Sequence, residues 1–144
     1  MPNWCQNIVN CSGPSEDVER LVQFVKGEDK HLNCGHTKNG DLVVGQLFSF
    51  KKIIPYEGEW DYGWCAQNWG TKWDACEVNS FLYADHVCYK FETAWAPPVP
   101  IFYELNKKFP DVYISWFYHE PMMEFAGYID RDEQKKSENP KTGI

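Results

Sequence analysis

A chain of 144 residues is the size of one domain and buries roughly two-thirds of the surface its unfolded form exposes, so no second domain is needed. Its 14 Lys and Arg against 21 Asp and Glu give a formal net charge of −7, which works against phosphate binding, and no apolar run approaches the ~20 residues that cross a bilayer. The opening Met1-Pro2-Asn3-Trp4 lacks a basic region followed by an apolar one, and the six cysteines show no CxxC pair, so a cytoplasmic protein with reduced thiols is expected.

Trp4 to Ser12 predicts a first strand that ends at the turn Ser12-Gly13-Pro14. A helix follows, with Ser15 as N-cap, Glu16 and Asp17 at the positive end of its dipole, and Val18, Leu21, Val22 and Val25 on one stripe until Gly27. Residues 28–46 are polar and glycine-bearing and read as a loop. Within it His31-x-x-Cys34-x-His36 offers three potential metal ligands without a matching second pair, so no structural metal and no cofactor is expected. Leu47 to Ile54 reads as a short strand or an aromatic anchor before Pro55.

Ala75 to Phe81 and Val87 to Thr93 predict two strands joined by a hairpin over Leu82 to His86. Pro97-Pro98 stops the sheet, and a second helix runs from Val99 to Lys108 before Phe109-Pro110. Val112 to His119 and Glu124 to Ile129 predict two further strands around a turn. From Asp130 the charges are mixed and Pro140 and Gly143 interrupt any pattern, so the domain spans 1–130 and residues 131–144 form a flexible tail. The order β-α-β-β-α-β with one extra strand is that of a ferredoxin-like α+β sandwich, with a long aromatic-rich insertion over 28–74. One sheet face lies under both helices, and the other is open unless that insertion covers it.

The densest feature is Asn68-Trp69-Gly70-Thr71-Lys72-Trp73-Asp74. As a turn followed by a strand, it points Trp69, Thr71, Trp73 and Ala75 one way as core, and Lys72 and Asp74 the other way as an ion pair. As a site, it makes Asn68, Lys72 and Asp74 the polar lip of a pocket walled by tryptophan. Just before it, Glu57, Glu59, Trp60, Asp61 and Trp64 mix acids with large rings. Between Glu57 and Asp85 stand six acids (Glu57, Glu59, Asp61, Asp74, Glu77, Asp85) and one base, Lys72, a local net of −5 that favours a basic partner.

Three function classes compete. For catalysis there is no phosphate loop, nucleophile elbow or zinc motif, and Asp74, Lys72 and His86 are the one combination that can divide acid and base roles. For nucleic acid, Tyr89, Phe91, Tyr113, Trp116, Phe117 and Tyr118 lie on strands where bases can stack, yet Lys51-Lys52 and Lys107-Lys108 are only two short basic pairs. For a binding protein, carboxylates among rings suit a basic surface of a host protein, and Asn68 and Lys72 among tryptophans suit a small nucleotide.

Met1-Pro2-Asn3-Trp4-Cys5, Phe50-x-x-Ile53-Ile54-Pro55, Asn68 to Ala75, Thr93-Ala94-Trp95-Ala96-Pro97-Pro98 and Phe109-Pro110 together resemble the YubB-type ferredoxin-like family of plasmid, phage and prophage proteins, over roughly residues 1–130. The resemblance implies the ferredoxin-like fold and a mobile-element origin. It carries over no catalytic residue, because that family has no agreed role. The expectation is a non-enzymatic accessory protein in the bacterial cytoplasm. It would inhibit a host defence or nucleic-acid-handling factor through Glu57, Glu59, Trp60, Asp61, Trp64, Asn68, Trp69, Lys72, Trp73 and Asp74. Nucleic-acid or nucleotide binding through the sheet rings is the alternative.

Overall fold

The computed structural model describes residues 3–27, 47–59 and 61–129, so the 28–46 loop with its His31/Cys34/His36 cluster, Trp60 and the tail lie outside the described residues. Strand β1 (Trp4–Ser12) leads to helix α1 (Ser15–Val25), then to the short helices α2 (Phe50–Ile53) and α3 (Tyr62–Asn68). The hairpin β2 (Cys76–Tyr83) and β3 (His86–Ala94), helix α4 (Val99–Lys108), and strands β4 (Tyr113–Glu120) and β5 (Phe125–Tyr128) complete the chain. The strands form one antiparallel sheet in the order β2-β3-β1-β4-β5. The fold is the expected ferredoxin-like α+β sandwich with an added edge strand.

Alternation along each strand decides which face is buried. On β1, Cys5, Asn7, Val9 and Cys11 are buried, and the register sets them beside Thr93, Phe91, Tyr89 and Val87 of β3. Ile114 and Trp116 of β4 continue this face. Against it pack Val18, Leu21 and Val25 of α1 and Ile101, Phe102 and Leu105 of α4, which join the same core. Both helices therefore cover one face. Their sequence stripes account for this, because each is apolar at i, i+3 and i+4 spacing and charged elsewhere.

One polar residue in this core is placed by its bonds. Asn7 accepts from the Trp116 Nε1–H at 2.9 Å and donates to Thr93 Oγ1 at 3.0 Å, so the central strands are tied together without an orphaned polar atom. Thr93 passes the chain on, donating to the Ala96 carbonyl at 2.7 Å.

Two segments of the insertion take their form from tertiary packing. Of the two readings of Leu47 to Ile54, the aromatic anchor holds and the strand does not: Phe48 and Phe50 are buried among Tyr89, Phe91 and Trp116, and residues 50–53 turn as α2. Within the acid- and ring-rich stretch that follows, residues 62–68 form α3. In both cases large rings that pattern poorly in one dimension are gathered onto the core by tertiary packing.

Candidate functional site

Helix α3 begins because the Asp61 carboxylate accepts from the Trp64 backbone N–H at 2.8 Å, the bond an N-cap aspartate makes. It closes on Trp69, after which Gly70 takes φ +82°. A Cβ on Gly70 would stand 3.0 Å from Pro100 Cδ, so both the left-handed backbone and the close approach of α4 require glycine here.

That turn breaks the expected strand over 69–75. Thr71, Asp74 and Ala75 are all buried while Lys72 and Trp73 are half-buried, which is not a two-residue alternation. The motif instead divides into an inward set and an outward set.

Trp69 leads the inward set. It is 1% exposed, its Nε1–H donates to the Ile54 carbonyl at 2.8 Å, and its ring meets the edges of Phe50 and Trp64 at centroid distances of 5.8 and 5.7 Å. Trp64 is half-buried between Trp69 and Tyr56, and the Asn68 amide folds back to donate to the Trp64 carbonyl at 2.9 Å. Asp74 is also inward. Its carboxylate accepts from the Phe50 N–H at 2.7 Å, the Lys51 N–H at 3.1 Å, the Ser49 hydroxyl at 3.2 Å and the Ala75 N–H at 2.7 Å. The Phe50 and Lys51 amides are first-turn donors of α2, so Asp74 caps that helix from another part of the chain. Burial raises its pKa from the ordinary 3.8 to about 7, with the four hydrogen bonds opposing the shift. Asp74 thus fastens the insertion to the sheet. The exposed face expected for Lys72 and Asp74 together is not found, because the carboxylate turns inward and is 1% exposed while Lys72 stays half-buried.

The outward set forms a ledge where β1 starts and β3 ends. The Lys72 ammonium lies 4.5 Å from the Trp73 ring centroid and 5.7 Å from that of Trp95. Trp73 in turn packs on Trp4 at 6.0 Å, and Trp95 meets Tyr62 edge-on at 6.1 Å. Trp95 and Tyr62 are 41% and 47% exposed, unusually open for rings that contact one another. Trp95 also adopts φ +70°, a conformation that L side chains avoid, while its N–H donates to the Asn3 carbonyl at 2.8 Å. Sequence reading missed Trp4, Trp95 and Tyr62 as members of this group, since they come from three distant segments and only the fold brings them to Lys72.

The acids named from the sequence separate in space. Glu57, Glu59 and Asp61 are exposed and lead directly into Tyr62, whereas Glu77 sits at the start of β2 and Asp85 in the turn at its far end. His86 is distant from Asp74. Asp74 lies just before Cys76, whose β3 partner is Glu92, and His86 opens β3 roughly 20 Å away along the strand. The His86 ring is bonded to Asn10 Oδ1 at 2.9 Å. Burial pushes the thiols of Cys5, Cys11 and Cys65 up to about 11, 12 and 11, far from the thiolate state that nucleophilic chemistry uses.

The uncovered sheet face carries a different population of rings. Phe81, Tyr83, Tyr113 and Tyr128 are half or more exposed, and Phe117 meets Tyr128 edge-on at 5.3 Å. Of the rings expected to stack bases, Tyr89, Phe91 and Trp116 are buried under the helices, Tyr118 shares their side, and Tyr113 and Phe117 face outward. A shallow hollow of about 380 Å³ on this face is lined by Gln6, Ile8, Asn79, Lys90, Glu77 and Glu92, so one cation stands among carboxylates. Lys51 and Lys52 on α2 and Lys107 and Lys108 on α4 belong to the helical layer.

Comparison with known proteins places this architecture. The family described as a ferredoxin-like domain in Api92-like protein matches residues 59–140, more than half of the chain. The chain belongs to that family. Its structure is similar to the crystal structure of protein Api92 from Yersinia pseudotuberculosis, with a TM-score of 0.66 and 12% identity over 91% of this chain and 95% of that one. At that identity the likeness concerns the fold alone. No curated protein matches. Among the described residues, no helix of this Api92-like chain is long and apolar enough to cross a membrane.

Proposed function

We propose that this Api92-like chain is a stoichiometric binding protein that engages a basic surface on another protein. The observation that carries this reading is the ledge itself, where Trp73 and Trp95 already hold a cation and the exposed Glu57, Glu59 and Asp61 lead into Tyr62 beside them. Rings and carboxylates together favour cationic side chains and repel phosphates. Catalysis is less well supported, because Asp74 is occupied as a helix cap and His86 stands at the opposite end of β3. The motif resemblance to YubB-type proteins of plasmids and phages supports a mobile-element setting, in which the target is a host defence or nucleic-acid-handling factor of the bacterial cytoplasm.

A nucleic-acid reading draws on the outward Tyr113, Phe117 and Tyr128. The mixed charge of that face weighs against it, since strand binding normally relies on a basic track. Affinity capture from bacterial lysate, repeated after nuclease treatment, separates the readings. A protein recovered in both captures, and released as salt rises, is the expected result. Recovery of nucleic acid alone, or turnover of a small substrate at sub-stoichiometric protein, overturns it.

A further inference from the structure

The ledge is more specific than a patch of exposed rings, because its geometry is that of a cation site filled by the chain's own side chain. Lys72 stands over Trp73 and Trp95 at 4.5 and 5.7 Å, inside the 6 Å range of cation–π attraction. Trp4 packs on Trp73 and Tyr62 meets Trp95 edge-on, so each receiving ring has an aromatic neighbour. Trp95 combines a left-handed backbone with an indole that is 41% exposed.

We infer that Trp73 and Trp95 form a receptor for an arginine side chain of a basic protein partner, and that Lys72 occupies it as an intramolecular placeholder until that side chain arrives. The inference rests on the reading above and names the chemistry of the contact. Lys72 is half-buried, so its ammonium reaches solvent and a competing cation can reach the same ring faces. Guanidinium is the better guest: it is planar, less strongly hydrated than ammonium and stacks on ring faces. The exposed carboxylates before Tyr62 add charge complementarity that a neutral or acidic peptide would lack. A competing internal lysine also serves selectivity, because only a ligand that makes further contacts displaces it.

The test uses the full chain and N-acetyl-arginine amide as probe, read by the indole N–H signals of Trp73, Trp95 and Trp69 in NMR, with N-acetyl-glutamine amide as the neutral control. Removing the placeholder by Lys72→Met should tighten probe binding about tenfold relative to the parent chain, the order expected for losing a cation held by two rings. Saturable shifts should appear at Trp73 and Trp95 and not at the core Trp69, and Trp73→Ala or Trp95→Ala in the Lys72→Met background should abolish them. Absence of saturable shifts in folded Lys72→Met, equal shifts with the glutamine amide, or shifts that survive loss of both rings would overturn the inference. If the probe fails while lysate capture still yields a protein, the arginine receptor is wrong and the binding reading stands. If the probe binds and capture yields no protein, the reverse holds.

Discussion

Trp69 and Trp73 lie four residues apart in one motif and have opposite fates. Trp69 is sealed among the rings of the insertion with its indole N–H bonded, while Trp73 stays half-buried with a lysine over its ring. The difference comes from Gly70, whose left-handed turn redirects the chain between them, and from Asp74, which pins the far end of the segment to α2. Identical side chains in one motif are therefore divided between stability and surface chemistry by two backbone events. Substitutions on either side should separate cleanly in what they change.

The largest effect should come from the inward ring. Trp69→Ala removes a fully buried indole and leaves the Ile54 carbonyl without its donor, so a loss of about 3 to 5 kcal/mol is expected in denaturant unfolding. A smaller change would mean that the insertion is not anchored through this ring. Asp74→Ala follows at about 3 kcal/mol, since it leaves the buried amides of Phe50 and Ala75 without their acceptor.

Asp74 also gives this half of the comparison a pH signature. Its native pKa is raised from 3.8 to about 7, so between those values the folded state holds a proton more tightly than the unfolded one. The contribution of this carboxyl to stability is therefore complete below about pH 3.8 and is lost as pH rises through about 7. Other carboxylates contribute their own slopes, so the informative quantity is the difference between parent and Asp74→Asn. Melting temperatures recorded from pH 4 to 8 should show the parent losing stability relative to the variant with rising pH, and parallel profiles would contradict the shift.

On the outward side, Trp73→Ala should cost only about 1 kcal/mol, because the ring is half-buried where Trp69 is sealed. This replaces the 3 to 5 kcal/mol that strand alternation over 69–75 implies. Urea unfolding of Trp69→Ala and Trp73→Ala side by side is the sharpest check of the division, and equal losses would erase it.

The sheet and its two long helices were legible because their patterns are local: alternation in β1, β3 and β4, and apolar stripes in α1 and α4. The hairpin was legible to within a few residues for the same reason. The helices within residues 47–74 were not, although the aromatic anchor at Phe48 and Phe50 was one of the two readings of that segment. Helix α2 spans four residues and takes its cap from Asp74, some twenty positions away, so no local signal announces it. Helix α3 carried a signal in Asp61, a good N-cap, but Gly63 and the neighbouring rings disguised it. Of the candidate site, Lys72 and Trp73 were visible as a dense motif. Trp4, Trp95 and Tyr62 were not, since their meeting depends on β1 pairing with β3 and on α3 docking beside them.

The smallest stability effect, and the one that bears most directly on function, concerns the carboxylates before the ledge. Reversing all three acids would confuse two roles, because Asp61 caps α3 and its loss alone costs about 1 kcal/mol. The cleaner variant is Glu57→Lys with Glu59→Lys, both exposed and outside any helix or strand. Melting should move by no more than about 0.5 kcal/mol in free energy, the ordinary range for surface substitutions. If the ledge meets a basic protein, the same variant should slow association with whatever protein the lysate capture identifies. That slowing should fade at high salt, where screening already removes the long-range attraction. Association measured by surface plasmon resonance at low and high salt distinguishes this from a contact made elsewhere: an unchanged on-rate at low salt would place the partner off the ledge, with the open sheet face as the next surface to probe.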